Sequence, residues 1–530
     1  MLRNFSCVLA LFLAACSTVP APTVGTADVL IRNGRIVDGT GNNWFLGDVS
    51  VKDGKILAVG HLDDIKANRT IDARRQIVAP GFIDVHGHIE DVLEIPTADN
   101  YVRDGVTTVI TGNCGASADQ LPSFFAGIDG QHTSINVASL VGHNTVRRLV
   151  MGLEDRRATP EEQRKMEAMV EQAMRDGAVG LSTGLIYLPG IYSTTDEVVG
   201  LARASARHHG VYASHIRDEG NKVAEAINEA IDVGRQARLP VEISHFKVGA
   251  PANWGRSRET LALVESARRE GLDVTIDQYP YTASSTNLGV MAPDWALSGG
   301  MPALRKRIAD PVERKKMADE MLATALEKKR KDFSYAVVAR HGADPTLNGK
   351  NISVINRERG REATLAAEIE TMLDLLSAGG AQMVFHGMIE DDVRYIMKYP
   401  FNMIGADGGV QNGKGLPHPR SYGTNARVLG KYVREEHIVP LEEAVRRMTS
   451  LAAQKFQLKD RGLLREGYAA DIVVFDDQAV IDKATFENPH QFSTGFDYVL
   501  VNGKIVVERD RHTGVRSGVA LKGPAYSATR

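Results

Sequence analysis

The sequence predicts an α/β fold: a (β/α)8 TIM-type barrel, with a small β-sandwich domain formed from both chain ends and an α+β insertion before the last barrel strand. Three observations predict it. Short β-rich runs broken by turns occur near both ends of the chain, over 27–73 and 470–510. Between them, apolar runs alternate with stretches of helical periodicity, the texture of repeated βα units. Eight such runs read as barrel strands, ending near His88, Cys114, Val141, Ser182, Arg217, Lys247, Tyr279 and Asp407, and eight is the number a closed barrel needs.

The N-terminal run begins with Met1, Leu2 and Arg3, continues apolar from Phe5 to Ala15, and reaches Leu13-Ala14-Ala15-Cys16. A basic start, a short apolar core and small residues before a cut site make a secretory signal, too short to span a bilayer as a helix. The Leu-Ala-Ala-Cys run resembles a bacterial lipobox, with a plain signal peptide as the alternative. The expectation is a signal over 1–16, lipidation of Cys16, a tether over 17–26, and an exported, membrane-anchored protein facing the periplasm from the outer membrane.

From 27 to 75 the runs VLIRNGRIVDG and DVSVKDGKILAVG read as hairpins turning at Gly34 and Asp53-Gly54. The segment 440–515 repeats this texture, and Asn502-Gly503 is a strong hairpin signal there. These two spans form the expected sandwich, with the barrel over 76–282 and 398–439. Thr159 and Glu162 make a capping box in front of Pro160, and Met166, Met169, Val170, Ala173 and Met174 line one helix face until Gly177 stops it. Charged helical runs and two further strand-like pieces over 283–397 interrupt the barrel rhythm, as an insertion over the mouth would.

Composition excludes several classes. The 530 residues are 24% charged and 43% hydrophobic, ordinary for a globular chain with a large core. A net charge of -3 with both signs interspersed leaves no basic stripe for a phosphate backbone, so nucleic acid is not an expected partner. Of three cysteines, Cys7 and Cys16 fall in the export segment. Cys114 is therefore alone in the folded part, and no disulfide framework exists. It is either core filler or chemistry.

In GFIDVHGHIE, His86 and His88 stand two apart at the end of an apolar strand, so both rings leave one face and can share a metal. His215 and His245 each follow a strand of one βαβ unit, whose helix carries Val223, Ala226, Ile227, Ala230 and Ile231 at helical spacing. That places them side by side at adjacent strand ends, where imidazole pairs suit zinc-like metals. Cys114 in VTTVITGNCGAS closes another strand, where a thiolate would be a soft ligand and a thiol a small core residue. Asp407 in MIGADGG ends the eighth strand, placed to bind a metal and to take a proton from water. Lys247 is left without a role. His143 reads as a supporting or structural residue, and His208, His209, His341, His437, His490 and His512 as surface or loop residues.

Seven motifs in order, GFIDVHGH, TTVITGNCG, LSTGLIYLPG, ASHIRDEG, EISHFK, DQYPYTASST and ADGG followed by HPRSYGT, resemble the N-acyl-D-amino-acid deacylase (D-aminoacylase) family of the amidohydrolase superfamily. The resemblance runs from about 27 to 510. It implies a tightly held Zn2+ on Cys114, His215 and His245, a second, weaker site completed by His86, His88 and Asp407, and Asp407 as general base. It further implies that Arg420 binds the substrate carboxylate with Ser285 and Tyr279, or Tyr281 beside it, and that Tyr187 in the GLIYLPG loop borders the acyl or side-chain pocket. Phe246, where a histidine is usual, and Asn425-Ala426, where Phe-Pro is usual, depart from the pattern. The implied reaction is metal-dependent cleavage of an N-acyl-D-amino acid. An L-Xaa-D-Xaa dipeptidase and a catalytically silent binding lipoprotein are the alternatives.

Overall fold

The structure is a computed structural model describing residues 26–527. The export segment, Cys16 and all but the last residue of the tether lie outside the described residues. Among these, no helix is long and apolar enough to cross a membrane.

The barrel strands are Phe82–Asp84, Val106–Thr111, Asn136–Ser139 continued by Val141–Gly142, Gly180–Gly184, Val211–His215, Val241–Ile243, Val274–Gln278 and Asn402–Ile404. All neighbours pair in parallel. The ring closes between first and last strands just past their ends: Asp407 N donates to His86 O at 2.7 Å and His88 N to Gly408 O at 2.7 Å. The helix read over 158–177 falls into place, whereas Gly34, read as a hairpin turn, sits inside the strand Ala27–Ile36 at a shift of register. Pro160–Arg175 carries the full capping box between Thr159 and Glu162, and Met166, Val170 and Met174 are fully buried beneath it.

Both chain ends join one nine-stranded sheet. Ile472–Phe475 lies antiparallel to Ile77–Pro80, which therefore belongs to this sheet although the sequence reading started the barrel at 76. The strand Ala27–Ile36 shifts register between Ile31 and Gly34 and pairs in parallel with Ala67–Asp72 along one half and Ile77–Pro80 along the other. Around that bend the sheet encloses its own core of Val49, Val51, Ile472, Val474 and Leu500. The hairpin at Asp53-Gly54 has φ of 49° and 77°, and that at Asn502-Gly503 47° and 76°, the paired positive values of a two-residue turn that matches strand twist. Residues 441–455 are not sheet. Leu441–Met448 and Ser450–Lys455 are helices whose Leu451, Ala452 and Ala453 pack against Ile83, Ile110 and Met403 of the barrel; their apolar spacing is helical, whatever the texture around them.

Between the seventh and eighth barrel strands comes the α+β insertion. Its three-stranded antiparallel sheet is Ser284–Asn287, Gln382–Phe385 and Ala336–Arg340. Helices Gly300–Ala309, Pro311–Glu327 and Leu365–Ser377 cover it with a separate core including Leu304, Met317, Ile369 and Met383. Glu390–Met397, inside the expected insertion span, instead packs Val393 and Ile396 into the barrel core.

Candidate metal centre

The donors collect at one end of the barrel, at or just past the strand ends. His215 is the last residue of its strand, whereas Cys114, His245 and Asp407 lie two or three residues beyond theirs. These three have φ of 51°, 37° and 49°, left-handed backbone that side-chain-bearing residues rarely adopt. The chain thus turns off each strand at the donor itself, a local strain typical of functional sites. Around Cys114 the turn is tight enough to require glycine. A Cβ at Gly112 would stand 2.3 Å from Leu140 O, and one at Gly115 2.1 Å from Asn144 Oδ1.

Two donor groups result. In the first, Cys114 Sγ lies 3.6 Å from His215 Nδ1 and 3.5 Å from His245 Nε2, and those nitrogens are 2.7 Å apart. In the second, His86 Nε2 is 3.3 Å from the same sulfur and 3.7 Å from Asp407 Oδ1, while His88 Nε2 is 3.0 Å from Asp407 Oδ1. Within each group every donor atom is inside 4.8 Å of the others. The strand holding the His-x-His pair stops at Asp84, but its next residues still pair with 407–408, which keeps both rings on Asp407.

The donor chemistry fits a divalent metal. Burial lowers the His215 imidazole to about 4 and His245 well below its ordinary range, with Lys247 adding to the latter. Both rings are therefore neutral near pH 7, so that lone pairs and a sulfur converge on one point. Burial also pushes the Cys114 thiol up, which a bound cation reverses. Asp277 Oδ2 stands 3.1 Å from His86 Nδ1 and Glu219 Oε1 3.0 Å from His245 Nδ1. Asp277 can hold the His86 Nδ1 proton and leave Nε2 facing the centre, whereas His245 Nδ1 faces both Glu219 and Lys247 Nζ, the latter at 2.8 Å. Lys247 Nζ, 2.6 Å from Glu219 and donating to His245 O at 2.8 Å, pins that carboxylate.

A cavity of about 420 Å³ opens from Cys114, His88 and Asp407 and is lined by Tyr187, Ser285 and Arg420. Burial opposes ionisation of Asp407, but Arg420 and the His88 hydrogen bond outweigh it and hold the carboxyl well below the usual range. Arg420 Nη1 approaches Asp407 Oδ2 to 2.9 Å without hydrogen-bond alignment and has no hydrogen-bond partner; Nη2 donates to Ser285 O at 3.3 Å. The guanidinium lies 4.5 Å over the Tyr279 ring, and the buried Tyr279 hydroxyl is also unpartnered. Tyr281 points elsewhere, toward Asp482 at 3.4 Å and under Arg427. Ser285 donates its hydroxyl to Met383 O at 2.8 Å, so it faces Arg420 with its carbonyl. The Tyr187 ring packs 4.8 Å from His215, and its hydroxyl is 3.1 Å from Thr286 Oγ1.

Sequence reasoning missed Asp277, Glu219 and His418, and left Lys247 unassigned. Asp277, Glu219 and Lys247 orient the histidines as described. His418 accepts from Arg420 N at 3.0 Å through Nδ1 and faces Ala283 O at 2.9 Å through Nε2, tying Arg420 to the Ser285 segment. All lie inside quoted motifs, at DQYPY, RDEG, SHFK and HPRS, and that was their only signal. His341, expected at the surface or in a loop, is a loop residue, buried, whose Nδ1 accepts from Asp344 N. His143 is buried against Glu197 at 2.9 Å, away from the centre.

A barrel of this kind, with sulfur, imidazole and carboxylate donors at its strand ends, defines the metal-dependent hydrolases of the amidohydrolase family, whose model matches residues 69–507. The chain belongs to the N-acyl-D-amino-acid deacylase (D-aminoacylase) group of that family. It is 35% identical to the D-aminoacylase of Alcaligenes xylosoxydans xylosoxydans, over 93% of this chain and 97% of the relative. It superposes with a TM-score of 0.80 at 34% identity on a D-aminoacylase structure concerned with a binuclear metal centre, one-metal activation and second-metal attenuation, covering 94% and 100% of the two chains. A third match, with a TM-score of 0.80, 35% identity and the same coverage, is N-acyl-D-glutamate deacylase from Bordetella bronchiseptica, complexed with zinc and a phosphonate mimic of the tetrahedral intermediate.

Proposed function

We propose that this protein hydrolyses the amide bond of N-acyl-D-amino acids, giving a carboxylate and a free D-amino acid. The observation that carries this reading is the meeting of both donor groups at Cys114 beside a buried arginine whose Nη1 pairs with Asp407 by charge but makes no hydrogen bond. Cys114, His215 and His245 would hold one Zn2+, and His86, His88 and Asp407, with Cys114 beside them, would hold a second, weaker one. Metal here supplies polarisation of the amide carbonyl and acidification of water. Asp407, ionised and next to both groups, takes the proton of the attacking water and delivers it to the leaving nitrogen. Arg420 holds the substrate α-carboxylate through its planar fork, and Tyr279 adds a hydroxyl donor. Burial of Cys114, His215 and His245 strengthens these charge interactions.

Metal analysis combined with hydrolysis of paired D and L N-acetyl amino acids and of mixed-chirality dipeptides tests the reading. About one equivalent of zinc, a second metal bound more weakly, and turnover confined to D-substrates are expected. Preference for L-Xaa-D-Xaa dipeptides would shift the assignment to the dipeptidase reading, and absence of turnover on every substrate would reject the enzyme.

The same proposal includes export and acylation at Cys16, on the support of Leu13-Ala14-Ala15-Cys16. Mass spectrometry of the mature N-terminus would show a lipid-modified cysteine and membrane-fraction enzyme. A free, unmodified N-terminus on soluble protein would refute it.

A further inference from the structure

Beside the metal centre, a larger cavity of about 850 Å³ lies between the barrel mouth and the insertion. Lys247 and Glu219 line it on the barrel side, Lys328 and Arg330 on the insertion side. Its charges are unevenly matched. Glu219 is held by Lys247, Asp218 accepts from Gly220 N and Lys222 N, and Glu320 accepts from Trp295 Nε1. Of the remaining lining carboxylates, Asp294 feels the charge of Arg217, and neither it nor Asp155 makes an ion pair with Lys328 or Arg330 among the described residues.

Arg330 has no such match. Its guanidinium lies 3.6 Å over the Tyr335 ring, its buried Nε has no hydrogen-bond partner, and it makes no ion pair among the described residues. Arginine stays charged at any working pH, so a half-buried guanidinium with an unanswered N–H is costly unless a ligand supplies the acceptor. It borders Gly387, where an added Cβ would lie 3.5 Å from Nη2. Gly387 O accepts from Ala250 N at 2.9 Å, three residues past Lys247, a chain distance of at most about 11 Å. The guanidinium thus stands within reach of a substrate whose amide is at the metal donors.

We propose that the substrate carries a second carboxylate, besides the one at Arg420, and that Arg330 receives it. This rests on the N-acyl-D-amino-acid reading and narrows it to dianionic substrates. The second carboxylate comes either from the far end of a dicarboxylic acyl group or from an acidic D-side chain. The two sources present the same chemistry to a planar guanidinium.

The test measures kcat/KM of the metal-loaded protein and its Arg330→Met variant on N-acetyl-D-leucine, N-succinyl- and N-adipoyl-D-leucine, their distal methyl esters, and N-acetyl-D-glutamate. At least one dianionic substrate should exceed N-acetyl-D-leucine by tenfold or more. Arg330→Met should erase that preference and leave N-acetyl-D-leucine within twofold, while Arg330→Lys keeps part of it. The acyl arms and the glutamate arm identify which half carries the charge, and the esters should behave as the neutral substrate. A variant that affects all substrates equally, or none, overturns the proposal. If nothing is hydrolysed, the reaction reading fails on its own. Calorimetric Kd values for the same compounds on wild type and variant then decide for or against Arg330.

Discussion

Cys114 is common to both donor groups, so its loss cannot be confined to one of them. Cys114→Ser keeps the shape but replaces a soft donor by a hard, protonated one. Bound metal should fall at both sites, with activity down at least a hundredfold; full metal retention by elemental analysis would reject the assignment. Arg420 separates differently. Arg420→Met removes a charge-assisted bidentate contact from a largely dry site, costing on the order of 3 kcal/mol, or roughly a hundredfold in kcat/KM. Metal content should hold, and N-acyl-D-amino acid amides, which lack the carboxylate, should be nearly unaffected; equal loss on both would make Arg420 a structural residue. At this scale the donors were legible because histidine and cysteine at strand ends are chemically uncommon. Asp277 and Glu219 were not, since buried carboxylates acquire meaning only from the imidazole each faces, and that partner is far away in the chain.

Segments that cap, turn or alternate locally were legible: the Thr159 capping box and the Asp53-Gly54 and Asn502-Gly503 hairpins needed only neighbouring residues. Barrel strands as short as Phe82–Asp84, and the helices over 441–455, were less so, because burial against distant elements decides them. Asn425-Ala426 shows the same limit. Asp104 accepts from Asn425 N at 2.7 Å, Ala426 N at 3.1 Å and Ser493 Oγ at 2.7 Å, joining the helix Arg420–Arg427, past its kink at Gly423, to the C-terminal segment. Proline in place of Ala426 would have no N–H to offer, so this departure from the family pattern is matched by a local anchor. Asp104→Ala strands buried donors and should cost about 3 kcal/mol. Calorimetry should show Tm falling by several degrees with metal stoichiometry unchanged; an unaltered Tm would mean the anchor carries no stability.

Across the whole molecule, the C-terminal part underpins the barrel that the N-terminal part opens. Lys455, with its side chain 1% exposed, reaches Asp273 O at 3.0 Å and Asp273 Oδ1 at 3.1 Å. Burial, partly offset by Asp273, lowers its ammonium to about 8. This folded pKa is below the unfolded value of about 10.4, so the native state binds fewer protons between them. Charging the buried amine costs stability fully below pH 8, and the cost is relieved as pH rises from about 8 to 10.4. Lys455→Met should accordingly be more stable than wild type at pH 7, with the difference closing toward pH 10; a constant difference in urea titrations would locate the effect in packing instead. Barrel closure has a consequence for the order of assembly. The seam between first and last strands is made by His86 and His88 with Asp407 and Gly408, residues some 320 positions apart. Cys114, His215 and His245 all precede the residue that completes the seam, so their cluster can gather from the first six strands alone. The cluster that needs Asp407 forms only with the strand that shuts the barrel.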